Sequence, residues 1–173
     1  MHRKNILSLL RQYRERFPGE GEQVRLVEEF VSTETACFER SFLPGHLTGS
    51  AWVVSEDLKR VLLTHHVKLN KWIQLGGHAD GQTDLLAVAL REAYEESGLD
   101  EISILESRIF DLDIHLIPAY RDVPEHLHYD ICFFFRAVGS ELFQISDESN
   151  DLCWVDINDL AKFTNEPSML RMN

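Results

Sequence analysis

Cysteine, proline and glycine are scarce in this chain of 173 residues, and positive charge is scarcer than negative. The three cysteines, Cys37, Cys132 and Cys153, are odd in number, widely spaced and free of any C-x-x-C pair. That excludes a disulfide framework and a zinc ribbon and leaves them as packing residues. Five prolines and nine glycines are too few for a fibrous or low-complexity chain. No apolar run approaches the roughly 18 to 20 residues that a membrane span needs. The opening MHRKNILSLLRQYRERF carries neither the unbroken apolar stretch nor the small-residue cleavage site of a secretory signal, so a cytoplasmic location is expected. With 17 Lys and Arg against 29 Asp and Glu the net charge is −12. Binding along a phosphate backbone draws its affinity from counterions released by Lys and Arg, so extended nucleic acid is not an expected partner. A small phosphorylated ligand remains open, because a bound divalent cation supplies positive charge locally.

What the chain does have is 44% apolar and 10% aromatic residues, enough to bury the core of one domain with a short extension. In the first 18 residues Ile6, Leu9, Leu10, Tyr13 and Phe17 fall at helical spacing beside Arg3, Lys4, Arg11, Arg14 and Arg16. This amphipathic basic helix is expected to dock on the acidic body or on a second subunit, which would make the protein a homodimer; a membrane-surface arm is the weaker reading. After Pro18-Gly19, Val24, Leu26, Val27, Phe30 and Val31 predict a second helix, so residues 1–40 form a helical extension and residues 41–173 the main domain.

From Thr48 the pattern turns β-rich. SAWVVS and VLLTHH flank the polar SEDLKR and read as a hairpin. A short run around Trp72 leads into LGGHADGQTD. Leu85 to Ser97 then reads as a strong helix with Gly98 as its C′ residue. ISILESRIF, DLDIHLIP, HLHYDICFFFRAV and LCWVDI follow as strands, before a short helix near Asn158 to Phe163. Strands on both sides of one central helix predict an α+β domain, an α/β/α sandwich.

That helix carries an electrostatic conflict. Leu86, Leu90, Ala93, Tyr94 and Ser97 are expected on one side and Glu92, Glu95 and Glu96 on the other, within an arc of roughly 100°. The three carboxylates repel one another, and they sit near the C-terminal, negative end of the helix dipole. Arg91 is the one nearby cation, and Asp100 and Glu101 add further negative charge. A solvated acidic face is the plain explanation. A divalent cation held by carboxylate oxygens resolves the conflict better, because Gly76-Gly77 ahead of the helix allows a backbone carbonyl to approach as a further ligand.

Read together, GHADGQTDLLAVALREAYEESGL, from Gly77 to Leu99, resembles the signature of the Nudix hydrolase superfamily, G-x5-E-x7-R-E-U-x-E-E-x-G-U with U aliphatic. Gly77, Arg91, Glu92, Glu95, Glu96, Gly98 and Leu99 occupy their positions; Thr83 stands where the signature has its first Glu, between Asp80 and Asp84. The resemblance implies the Nudix fold, with a mixed sheet and a central catalytic helix. It also implies hydrolysis of a nucleoside diphosphate linked to another group, with Mg²⁺ or Mn²⁺ assisting attack of water on one phosphorus of the pyrophosphate. By the same resemblance Glu95 and Glu96 would be metal ligands, Glu92 a ligand or proton acceptor, Arg91 the ion-pair partner that orients them, and the Gly77 carbonyl a further ligand. The general base would come from a later loop; the candidates are Glu148, then Asp147, in SDESND, against the reading of that segment as an ordinary turn. Thr83 keeps a second function in view, a Nudix-like module that binds a nucleotide and cleaves it weakly or not at all.

On the substrate side, strand alternation places His126, His128, Asp130 and Cys132 on one face, and Asp111, Asp113 and His115 on one face of the preceding strand. Were these strands neighbours, the polar faces could line the substrate pocket, hold a second metal, or simply be hydrogen-bonded. His78, directly after the double glycine, is a candidate phosphate contact, as is the group His65, His66, Lys68 and Lys71. Tyr120, Trp72 and Phe42 are candidates to stack on a base or to pack in the core.

Overall fold

The structure is a computed structural model and describes residues 2–67, 69–146 and 149–173. Among the described residues four α-helices are present, α1 (Lys4–Arg16), α2 (Gly21–Thr33), α3 (Leu85–Ser97) and α4 (Pro167–Arg171), with 3-10 turns at Pro18–Glu20 and Ile157–Lys162. The strands are β1 (Gly45–Val54), β2 (Arg60–His66), β3 (Lys71–Ile73), β4 (Leu75–His78), β5 (Ile102–Ile117), β6 (His126–Ala137) and β7 (Ser149–Asp156). They form one mixed sheet in the order β3-β2-β1-β6-β5, with β4 paired to β1 and β7 to β2. This is the expected α+β architecture.

Strand β1 organises the sheet because every position in it is buried. Its odd positions, Leu47, Ala51 and Val53, join Ile131, Phe133 and Phe135 of β6 in the main core. Its even positions Trp52 and Val54 join Val61, Leu63 and Cys132 in a second core under Leu160, Met169 and Met172 of the C-terminal segment. The rest of that even face is polar: His46, Thr48 and Ser50 are all buried. β1 runs parallel to β6, with His46 opposite His128, Thr48 opposite Asp130 and Ser50 opposite Cys132.

The expected hairpin is realised at a single pair, Val54 with Val61, because β1 spends its edge on β4 while β2 pairs along its length with β7. ISILESRIF and DLDIHLIP form one long strand, β5, whose register against β6 shifts between Ile104 and Asp111.

The helices of residues 1–40 bury Ile6, Leu10, Tyr13, Val24, Val27, Phe30 and Val31 in the same core as the sheet. Arg3 donates to the carbonyls of Val31 (2.7 Å) and Ser32 (2.9 Å), and Arg16 reaches Glu106 of β5 at 3.0 Å. Of the apolar stripe that suggested a second subunit, Ile6, Leu10 and Tyr13 are therefore covered within the chain, while Phe17 stays exposed.

Helix α3 begins at Asp84, whose side chain accepts from the Ala87 N–H, and ends at Gly98 in the left-handed region (φ 62°). A cap of this kind contributes about 1 kcal/mol. The buried stripe is turned from the expected one: Ala93 and Ser97 are buried and Leu86 and Leu90 pack partly against the core as expected, but Leu85, Val88, Ala89 and Glu96 also face inward, while Tyr94 is exposed. The cause lies in β1. A Cβ at Gly49 would stand 2.9 Å from the Leu85 carbonyl oxygen and 3.2 Å from the Ala89 nitrogen, so glycine lets the helix backbone settle directly on the strand. That rotation carries Glu96 toward the interior. Among the described residues no helix is long and apolar enough to cross a membrane.

Candidate active site

Strand β4 lies between α3 and the polar face of the sheet. On the helix side, a Cβ at Gly77 would fall 2.5 Å from the Glu92 carboxylate, so only glycine admits this approach. Glu92 pairs with Arg91 at 2.5 Å, and Arg91 also donates to the His78 carbonyl (3.1 Å) and to Gln82 (3.3 Å). Arg91 thereby ties the helix to the loop ahead of it. Glu96 is 5% exposed and accepts from the Gly76 N–H at 2.9 Å. Glu95 points outward, its side chain 63% exposed and 3.9 Å from Arg91. The carboxylates thus fan from the interior to solvent across one end of the helix. Carboxylate oxygen is the donor that a hard divalent cation prefers, although among the described residues the group whose ligand atoms already lie within 4.8 Å of one another is His46, His78 and His128.

Asp80 is held by Arg40, which lowers its pKa chiefly through that hydrogen bond, and Asp84 caps α3. Both acids flanking Thr83 are engaged in structural roles. Glu148 and Asp147 lie outside the described residues, as does Lys68.

The substrate-side candidates gather on the other face of β4. β5 and β6 are neighbours, so the two predicted polar faces merge: His128 lies opposite His115 and Asp130 opposite Asp113. Asp130 is buried, its two oxygens accepting from Thr48 (2.6 Å) and Ser50 (2.5 Å), with Gln74 at 3.2 Å. Asp111, on the same face, is gripped by Arg171 through two bonds of 2.7 and 2.8 Å, yet burial still raises its pKa to about 6. Burial opposes the charged forms of Asp113 and His115 too, but their mutual hydrogen bond of 3.0 Å, helped by Arg171 on Asp113, lowers the acid and raises the base.

His78 turns away from the carboxylates and stands with His46 and His128, the ring centroids 5.0 and 5.2 Å away. Burial, and then repulsion among the rings, lowers the pKa of all three, His78 to about 4 and His128 further. For His46, burial and His126 outweigh the Phe42 backbone carbonyl, which is too poorly placed to satisfy a ring N–H. His46, Thr48, Ser50 and Gln74 were missed in the sequence; the alternation His46-Thr48-Ser50, ahead of Trp52, was the available signal.

Of the other candidates, Lys71 pairs with Glu166 at 2.5 Å and His65 stacks on Trp72. Trp72, Lys71 and Phe163 line a cleft of about 360 Å³. Phe42 packs against the core beside Phe30, and Tyr120 is exposed.

The family model of the NUDIX domain matches residues 46–172, and the chain belongs to that family. Solved structures of similar fold include an Ap4A hydrolase from C. elegans in a binary complex, at 19% identity and a TM-score of 0.56 over 73% of this chain and 93% of that one. A NUDIX-family hydrolase from Clostridium perfringens aligns at 24% identity and a TM-score of 0.54, over 73% and 93%. The MutT protein of Methanosarcina mazei Go1 aligns at 19% identity and 0.53, over 75% and 90%. A search among curated proteins found no match.

Proposed function

We propose that this protein is a Mg²⁺- or Mn²⁺-dependent hydrolase that cleaves the pyrophosphate linkage of a nucleoside diphosphate joined to another moiety, or of a similar small diphosphate. The observation that carries this reading is the packing of Glu92 against Gly77 under Arg91, with Glu96 drawn inward by the Gly76 N–H. Glu92, Glu95, Glu96 and the Gly77 carbonyl would hold the cation. When bound, the ion neutralises phosphoryl oxygens and lowers the pKa of water. Arg91 fixes the orientation of Glu92 and braces the loop through the His78 carbonyl. Glu92 is positioned to accept a proton or to complete the ligand set, and the water-activating base is assigned to Glu148. His78, His128 and Asp130 would line the substrate side on the face of β4 away from the carboxylates.

The test is phosphorus NMR of nucleoside triphosphates, ADP-ribose, dinucleoside polyphosphates, nucleotide sugars and coenzyme A, with Mg²⁺ or EDTA and with Glu96→Gln alongside. Metal-dependent cleavage by the native chain, lost in the variant, is the expected result. Nucleotide binding without any product, in folded protein that takes up Mn²⁺, would overturn it in favour of a binding module, which Thr83 and the engaged Asp80 and Asp84 favour.

A further inference from the structure

Three imidazoles from three different strands converge on the face of β4 that turns away from the carboxylates. His46, His78 and His128 each place a ring nitrogen within 4.8 Å of the others. His46 is 3% exposed, and among the described residues neither of its ring nitrogens, nor Nε2 of His128, has a hydrogen-bond partner. Buried polar atoms almost always find partners, so adjacent rings sharing this lack require a ligand. A neutral imidazole offers a lone pair, and the species that accepts lone pairs from three imidazoles at once is a metal cation.

We propose that His46, His78 and His128 form a second metal site, for a late first-row divalent ion, zinc foremost. Imidazole nitrogen suits zinc, copper and nickel, whereas Mg²⁺ prefers oxygen, so this site and the carboxylates of α3 select different ions. Nearby, Asp113 holds Nδ1 of His115, the Pro124 carbonyl holds Nδ1 of His126, and Thr48 and Ser50 hold Asp130. Among the described residues the ring nitrogens that converge within 4.8 Å are those of His46, His78 and His128, which makes three protein ligands and leaves a fourth position for water or a substrate oxygen. Binding draws the nitrogens from 4.8 Å or less to about 3.3 Å, the separation set by tetrahedral bonds of about 2.0 to 2.1 Å.

The test uses the full chain stripped by a chelator and titrated with Co²⁺ in excess Mg²⁺, which saturates the carboxylates. One equivalent of Co²⁺ with the intense visible absorption of a low-coordinate imidazole complex is expected in the native chain and in Glu96→Gln. His46→Gln combined with His128→Gln is expected to lose it, with an unchanged circular dichroism spectrum. X-ray absorption of the Zn²⁺-loaded native chain, which needs no variant, should show multiple scattering from about three imidazoles. Absence of tight Co²⁺ uptake in excess Mg²⁺, uptake that survives in the double variant, or a zinc shell of oxygen alone would each overturn the proposal. None of these readouts depends on hydrolysis, so failure of this site and failure of the proposed activity are separable.

Discussion

The two sides of β4 solve opposite problems. Toward α3, charged carboxylates crowd together and are steadied by a backbone N–H, an arginine and access to solvent. Toward the sheet face, neutral imidazoles crowd together with burial as the main influence on their protonation. The same two-residue alternation that turns Gly77 to the helix turns His78 to the histidines, so one short strand serves hard oxygen donors on one side and borderline nitrogen donors on the other. Proximity in sequence is a poor guide to shared chemistry here.

The sharpest way to separate the sides is Glu96→Gln. Glutamine keeps an oxygen for the Gly76 N–H, so the fold is retained while a charge is lost; hydrolysis should drop by at least about 100-fold, the scale of removing one preorganised electrostatic contact. Co²⁺ absorption from the histidine face should not change. Gly77→Ala comes next. The added Cβ meets the flexible end of Glu92 rather than backbone, so turnover should fall by about tenfold or more while the thermal midpoint moves by no more than a few degrees.

A pH series probes the other side. The folded pKa values of His46, His78 and His128 lie below the ordinary 6.5. Unfolding therefore takes up protons, and stability is full above about pH 6.5 and lost as pH falls toward 4. Asp111, raised to about 6, acts in the opposite direction between pH 4 and 6, and His115, held above its ordinary value by Asp113, does so above about pH 6.5, two groups against three. Around the imidazoles, Asp80 favours the proton while Arg40 and His126 oppose it. In EDTA the urea midpoint should fall from about pH 6.5 to 4.5; a midpoint that stays level or rises over that range would count against the rings being held neutral. The smallest effect is reserved for Thr83→Glu, which restores the acid of the signature and should tighten Mn²⁺ binding by less than about tenfold, read by calorimetry.

These contrasts also explain what the sequence made legible. Helix α3 was readable to the residue because its stop Gly98 and its apolar spacing are local signals. Its buried face was not, because the rotation depends on Gly49, a residue of another strand. Polar alternation in DLDIHLIP and HLHYDICFFF was visible, and the structure brings the two faces together. His46 stood alone in PGHLTG, and the pairing of β1 with β6 and with β4 gives it His128 and His78 as neighbours. Long-range pairing carries no local mark in the chain.

The family profile begins at residue 46, yet Val24, Val27, Phe30 and Val31 lie in the same continuous core as Ile131 and Phe133. The leading helices are thus not a detachable appendage. A fragment cut at the family boundary would bare an apolar wall along β5 and β6, so any exchange of segments between this protein and its relatives has to carry both helices across together with the strands they cover.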